Sequence, residues 1–224
     1  MGTLTIKAKD LKEIMANKFG EIVSKDNFVY NKSMNEFRRR NGEFIYIFNI
    51  EQVAWSSSFS FHIKLYVSQR RISEIIEKIL GKQRHKITIG CDIERIYKSP
   101  DGRQVINGNL SIWIREDKDV EAAIESLQWY YQDIAKPYFE RYQTLESIDD
   151  IINNPPFDHT PAHVGGMFFE RCIKGLIVAR LVNNPKYDEL ISIYDEEIKG
   201  TVNEEFIEAY NKAKEFLRYN DIKK

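Results

Sequence analysis

The sequence predicts an α+β fold built on an antiparallel sheet of about five to six strands, with an N-terminal helix and a helical C-terminal third. Three observations predict it. One amphipathic stretch opens the chain, alternating strand patterns joined by short turns follow, and the apolar period turns helical from Asp117 onward. Strands joined by turns this short run antiparallel, because a parallel crossover needs about a dozen residues or more.

The first helix spans roughly Lys9 to Ser24. Leu11, Ile14, Met15, Phe19, Ile22 and Val23 recur at three- and four-residue spacing and form one stripe. Strands follow at Phe28–Tyr30, Glu36–Arg40, Glu43–Ala54 and Phe59–Val67, with Asn41-Gly42 as a hairpin signal and a Trp55-Ser-Ser-Ser58 corner. The fourth alternates cleanly, with Phe59, Phe61, Ile63, Leu65 and Val67 on one face. Ile72 to Leu80 has helical spacing and stops at Gly81. Two more strands, Lys86–Tyr97 and Val105–Arg115, are joined by Ser99-Pro-Asp-Gly102. Helices are then expected at 120–134, 145–152, 164–182, 187–198 and 203–219, with Pro137 ending the first of these. The proline-bearing stretch from Asn153 to Pro161 divides an α+β body, residues 1–154, from a helical subdomain, residues 155–224, packed on it.

Composition sets the class. A chain of 224 residues with 42% hydrophobic content can bury a full core without metals or disulfides. Neither a run of about 18 apolar residues nor a signal-peptide pattern is present, so a cytoplasmic protein without a membrane partner is expected. Cys91 and Cys172 read as two reduced thiols. Charge is uneven: residues 1–110 hold 19 Lys+Arg against 12 Asp+Glu, and residues 111–224 hold 14 against 22. The split suits either a basic binding face or two oppositely charged layers of one fold.

The nucleotide-binding, hydrolase and paired-cysteine zinc motifs are missing. His159 and His163 stand at metal-ligand spacing, but Pro161 between them suits a helix start with Thr160 as its N-cap. No metal and no cofactor is therefore expected. Cys172 sits mid-helix beside Ile173, as a core thiol would. Strand parity, in contrast, gathers one polar face: Arg38, Arg40, His62, Lys64, Asp92, Glu94, Trp113 and Arg115. Asp92 and Glu94, two apart on a strand, could do acid–base work or could pair with Lys64 or Arg115. The face is either open to a partner or covered by the C-terminal helices. Basic runs at Arg38–Arg40, Gln69–Arg71 and Lys82–Lys86 suggest nucleic acid, yet a pI near 6.5 is low for that role.

Several stretches are familiar as a set: Phe37-Arg38, a strand carrying Arg95, Trp113-Ile-Arg-Glu-Asp117, Lys136-Pro-Tyr-Phe-Glu-Arg141 and Thr144-Leu-Glu-Ser-Ile148. Over residues 11–154 the chain resembles an uncharacterised bacterial family, a domain of unknown function. The resemblance implies an α+β cytosolic protein and no reaction. The expected function is that of a non-enzymatic bacterial protein, regulatory or toxin-neutralising, whose partner is another protein. The alternatives are a hydrolase or transferase of unrecognised type and a nucleic-acid-binding protein.

Overall fold

A computed structural model describes residues 4–81, 87–97, 110–156, 168–200 and 203–222. It is α+β, with an antiparallel sheet, an N-terminal helix and a helical C-terminal part. Two compact units divide the chain: Met1–Tyr66 with Cys91–Glu140, and Val67–Gly90 with Arg141–Lys224.

The first unit opens on α1 (Ala8–Val23), whose stripe of Leu11, Met15, Phe19 and Val23 is buried. Strands β1 (Val29–Asn31), β2 (Glu36–Asn41), β3 (Phe44–Ala54), β4 (Phe59–Gln69) and β5 (Ile89–Asp92) lie in that order in the sheet. A sixth, β6 (Ile112–Ile114), pairs antiparallel with the start of β4. Asn41-Gly42 makes the tight β2–β3 turn, with Gly42 at φ 56°, where a side chain would be strained.

Phe37 stands opposite Phe48, and Arg39 opposite Tyr46, so these four share the core face. Phe19 of α1 meets Phe37 edge-on at 5.1 Å and Phe48 at 4.9 Å. Each such ring pair adds about 0.5–1.5 kcal/mol beyond area burial. Arg39 reaches into this cluster, its guanidinium 4.7 Å from the Tyr46 ring centre and 5.1 Å from that of Phe28.

Two expectations are corrected here. The strand expected over 86–97 is only β5, and the chain then turns into the short helix α3 (Ile93–Ile96), which carries Glu94. Ile89 and Ile93 continue a strand alternation, while Ile93 and Ile96 begin a helical one, and the second period wins after Asp92. Of the expected strand 105–115, β6 holds residues 112–114, Arg115 lies past its end, and the joining turn falls outside the described residues.

Pro137 does not end its helix. α4 (Asp119–Trp129) widens into a π-helical stretch, Tyr130–Ala135, and continues as α5 (Lys136–Arg141). Proline lacks an N–H and crowds the carbonyl four residues back. A π stretch just before it opens the ladder there, so the rod passes through the proline instead of breaking. The same stretch buries both Tyr130 and Tyr131. Tyr130 donates to the Leu110 carbonyl at 2.6 Å, and Tyr131 donates to Asp26 at 2.7 Å.

The second unit is helical. It comprises α2 (Arg70–Leu80), α6 (Leu145–Asn153), α7 (Phe168–Val182), α8 (Tyr187–Lys199) and α9 (Glu204–Tyr219). Their ends carry capping chemistry, with the stop at Gly81 where the sequence places it. Gln69 Oε1 accepts from the Ile72 N–H at 2.8 Å, Gly81 closes α2 at φ 68°, and Thr144 with Ser147 forms a capping box. Every residue of α7 from Cys172 to Ala179 is buried, which marks it as the central helix. Burial pushes the Cys172 thiol up to about 12 and brings the Lys174 ammonium down to about 8, with Glu170 at 3.9 Å. Both cysteines are free thiols. Asn153 and Pro156 of the proline-bearing stretch lie within this unit's chain.

Candidate functional site: an aromatic and charged sheet face

The sheet's second face begins in β2 and β3. Alternation that puts Phe37 and Arg39 into the core turns Glu36, Arg38 and Arg40 the other way, opposite Asn49, Ile47 and Ile45. Glu51, two positions beyond Asn49, carries the face onward. Its carboxylate meets the Lys64 ammonium at 2.7 Å, which brings in the even-numbered side of β4: Ser60, His62, Lys64 and Tyr66. Ser60 in turn stands opposite Trp113 of β6.

At that end two indoles meet. Trp55, in the corner between β3 and β4, lies 5.9 Å from Trp113 at an interplanar angle of 31°. Trp55 Nε1 donates to Ser60 Oγ at 3.0 Å, and His62 Nε2 lies 3.4 Å from the same oxygen. The Arg115 guanidinium stands 5.7 Å from the Trp113 ring centre. Although pinned in this way, Trp55 remains 54% exposed and Trp113 41% exposed.

Charge on the face is largely spent internally. Arg38 pairs with Glu36, which is buried. The hydrogen bond from Lys64 holds the Glu51 carboxyl below the usual carboxylate range, and Glu51, with Asp92 nearby, raises the Lys64 ammonium. Burial raises the Tyr66 phenol. Arg40 and Arg115 form no ion pair among the described residues. The face thus presents two indoles and two arginines around a neutralised interior. It is neither sealed nor bare: His62, Lys64 and Tyr66 are half-buried, whereas Arg40 is exposed.

Nucleophilic chemistry needs an accessible hydroxyl, a base in reach and a donor for the developing oxyanion. Ser60 is fully buried and its oxygen already accepts from Trp55, so the Ser60–His62 contact serves to orient the indole. Asp92 ends a strand and Glu94 lies on α3, where it accepts from Ser111 Oγ at 3.1 Å. The expected strand pair of carboxylates is therefore replaced by two separate environments. His159 and His163 lie outside the described residues, and no group of three or more possible metal-ligating side chains converges among those described.

Two of the basic runs are also partitioned by the fold. Strand alternation sends Arg39 into the core and leaves Arg38 and Arg40 outside. Arg70 pairs with Glu74 at 2.6 Å, and Arg71 donates to the Ile222 carbonyl at 2.8 Å. The third run, 82–86, lies outside the described residues.

Sequence reasoning missed Trp55, Ser60 and Glu51. Trp55 reads as part of a polar corner, and only the β4–β6 register brings it beside Trp113. No helix among the described residues is long and apolar enough to cross a membrane. In comparisons with family models, curated proteins and solved structures, the chain finds no match.

Proposed function

We propose that this is a non-enzymatic protein that binds another protein through the Trp55–Trp113 face. The observation that carries the reading is the pair of adjacent, half-exposed indoles, tilted at 31° to each other and flanked by Arg115. Tryptophan and arginine dominate binding energy at protein interfaces, especially where neighbouring groups are already satisfied and rigid. Ser60, in contact with His62, fixes the Trp55 indole before any partner arrives, which lowers the ordering cost of association. A regulatory or toxin-neutralising role in a bacterial cytoplasm is the setting we favour.

The test compares proteins retained from source-cell extract by wild type and by W55A, W113A and the double variant. One retained protein that each single variant weakens about 10–100-fold, a cost of roughly 1.4–2.8 kcal/mol, supports the reading. Recovery of the same proteins by wild type and by the double variant refutes it. Retention that instead follows single-stranded DNA, falls steeply with salt and needs both indoles would point to nucleic acid.

A further inference from the structure

A second site, independent of the tryptophan face, lies within the helical unit. Helices α7, α8 and α9 border an open groove of about 660 Å³, within the range of small-molecule sites. Its floor includes buried Leu217 with Ile191 beside it, and Tyr187 and Tyr219 form part of its sides. Tyr219 is 72% exposed, a high value for a ring at the end of a helix that has a buried face to offer it.

Charges of both signs line the groove, the carboxylates of Asp188 and Glu215 alongside Arg180, Lys214 and Arg218. Arg180, in the last turn of α7, places its guanidinium 5.5 Å from the Tyr187 ring centre, and Arg218, in the last turn of α9, stands 5.6 Å from that of Tyr219. Neither forms an ion pair among the described residues. Lys214, also at the groove, is different: Asp195 holds its ammonium through both oxygens, at 2.6 and 2.8 Å. The fold therefore neutralises the lysine and leaves the two arginines resting on aromatic rings. A guanidinium stacked on a ring keeps its in-plane N–H donors available, and that fork matches a carboxylate or phosphate.

We propose that this groove binds a small ligand that joins a flat ring to an anionic group, the ring lying against Tyr187, Tyr219 and the Leu217 floor and the anion taken by Arg180 and Arg218. A ring without the anion leaves the guanidiniums unused, and an anion without the ring leaves the floor wet. Both halves are needed for useful affinity.

The experiment is a titration of the full chain, by calorimetry and by two-dimensional NMR, with four probes: AMP, indole-3-acetate, adenosine and inorganic phosphate. AMP or indole-3-acetate should bind at least about tenfold more tightly than adenosine or phosphate alone, with shifted resonances centred on residues 180, 187, 218 and 219. Preference for AMP identifies the anion as phosphate, and preference for indole-3-acetate identifies it as carboxylate. R180A and R218A should each weaken the better probe about 10–100-fold, as loss of a charge-assisted contact does. Y219A should weaken it by a smaller factor while leaving the circular dichroism spectrum unchanged. The proposal falls if neither ring-bearing anion shifts these residues at ~10 mM, well beyond the range of a useful site. It falls equally if the R180A/R218A double variant, folded as wild type, binds the better probe undiminished.

Discussion

Arg39 shows how one residue can look like one thing in sequence and do another in the fold. It stands in the middle of Arg38–Arg40, a run that suggests a phosphate-binding surface, yet its guanidinium lies between Phe28 and Tyr46 inside the first unit. R39A should lower stability by about 1–3 kcal/mol, through loss of packing as well as of cation–π attraction, and R39K should recover only part of it. Tyr46 behaves in the opposite way. Its buried hydroxyl has no hydrogen-bond partner among the described residues, so Y46F should be neutral or stabilising by up to about 1 kcal/mol. Urea unfolding of the three variants checks both statements. A neutral R39A together with a strongly destabilised Y46F would mean the ring–cation geometry is misassigned.

Asp26 carries a pH dependence at the same scale. The hydrogen bond from Tyr131 holds its carboxyl below the ordinary range, with Lys136 adding to the effect at 3.2 Å. A depressed carboxyl contributes stability that is present above its unfolded pKa, near 3.8, and is lost as pH falls through its folded value. D26N should therefore be less stable than wild type by about 1 kcal/mol at pH 7, and the gap should close at about pH 2. A gap that persists unchanged in acid would show that the charge of Asp26 is not what matters.

Among the elements, the α6–α7 contact is held by a polar joint. Asn153 donates to Asp149 at 2.6 Å and to the Gly175 carbonyl at 3.0 Å, and it accepts from the Tyr194 hydroxyl. Asn184 completes the set by donating to Asp149 at 2.6 Å. Burial raises the Asp149 carboxyl, so these donors are what make its charged form tolerable there. A methyl at Gly175 would sit 2.7 Å from Asn153 Oδ1, too close for the joint to survive unmoved. G175A should cost about 1–3 kcal/mol even though alanine is the better helix former, and N153A about 2–4 kcal/mol. Thermal unfolding of both variants is the check, and a G175A protein more stable than wild type would contradict the close approach.

Elements were legible where one period runs unbroken. Strand β4 alternates, β2 and β3 are set by the Asn41-Gly42 turn between them, and α1, α2, α8 and α9 keep a single apolar stripe, so their bounds follow from the residues. Legibility fails where two periods share residues. Ile93 serves the alternation before it and the helical spacing after it, so the strand pattern runs on through Glu94 in the sequence. Pro137 fails for another reason: its usual effect depends on the turn before it, and a π stretch is not encoded by composition. The site was legible only in part, because parity assigns Arg38, His62 and Lys64 to a face but says nothing of register. Glu51 and Lys64, or Trp55 and Trp113, become neighbours only when the strands are paired.

For the whole molecule, the two units divide the chemistry between them. The α+β unit offers two exposed indoles on a sheet face, with Arg40 and Arg115, which form no ion pair among the described residues. The helical unit offers a groove where arginines rest on tyrosines. At each surface one lysine is neutralised, Lys64 through Glu51 and Lys214 through Asp195, whereas Arg40 and Arg115 on the face and Arg180 and Arg218 at the groove form no ion pair among the described residues. Arginine is the better residue for this, since its planar head stacks on a ring and still offers its donors. The net charge of −1 therefore understates the local contrast that a partner would meet.

Site-specific photo-crosslinking is the most direct test of the tryptophan face. A photoreactive phenylalanine analogue replaces Trp55 or Trp113 in one pair of proteins and exposed Val29 in a control, and each is irradiated in the source cell. One protein adduct of the same added mass is expected from positions 55 and 113, and none of that mass from position 29. Equal labelling from all three positions, or no adduct from either tryptophan position, would contradict it.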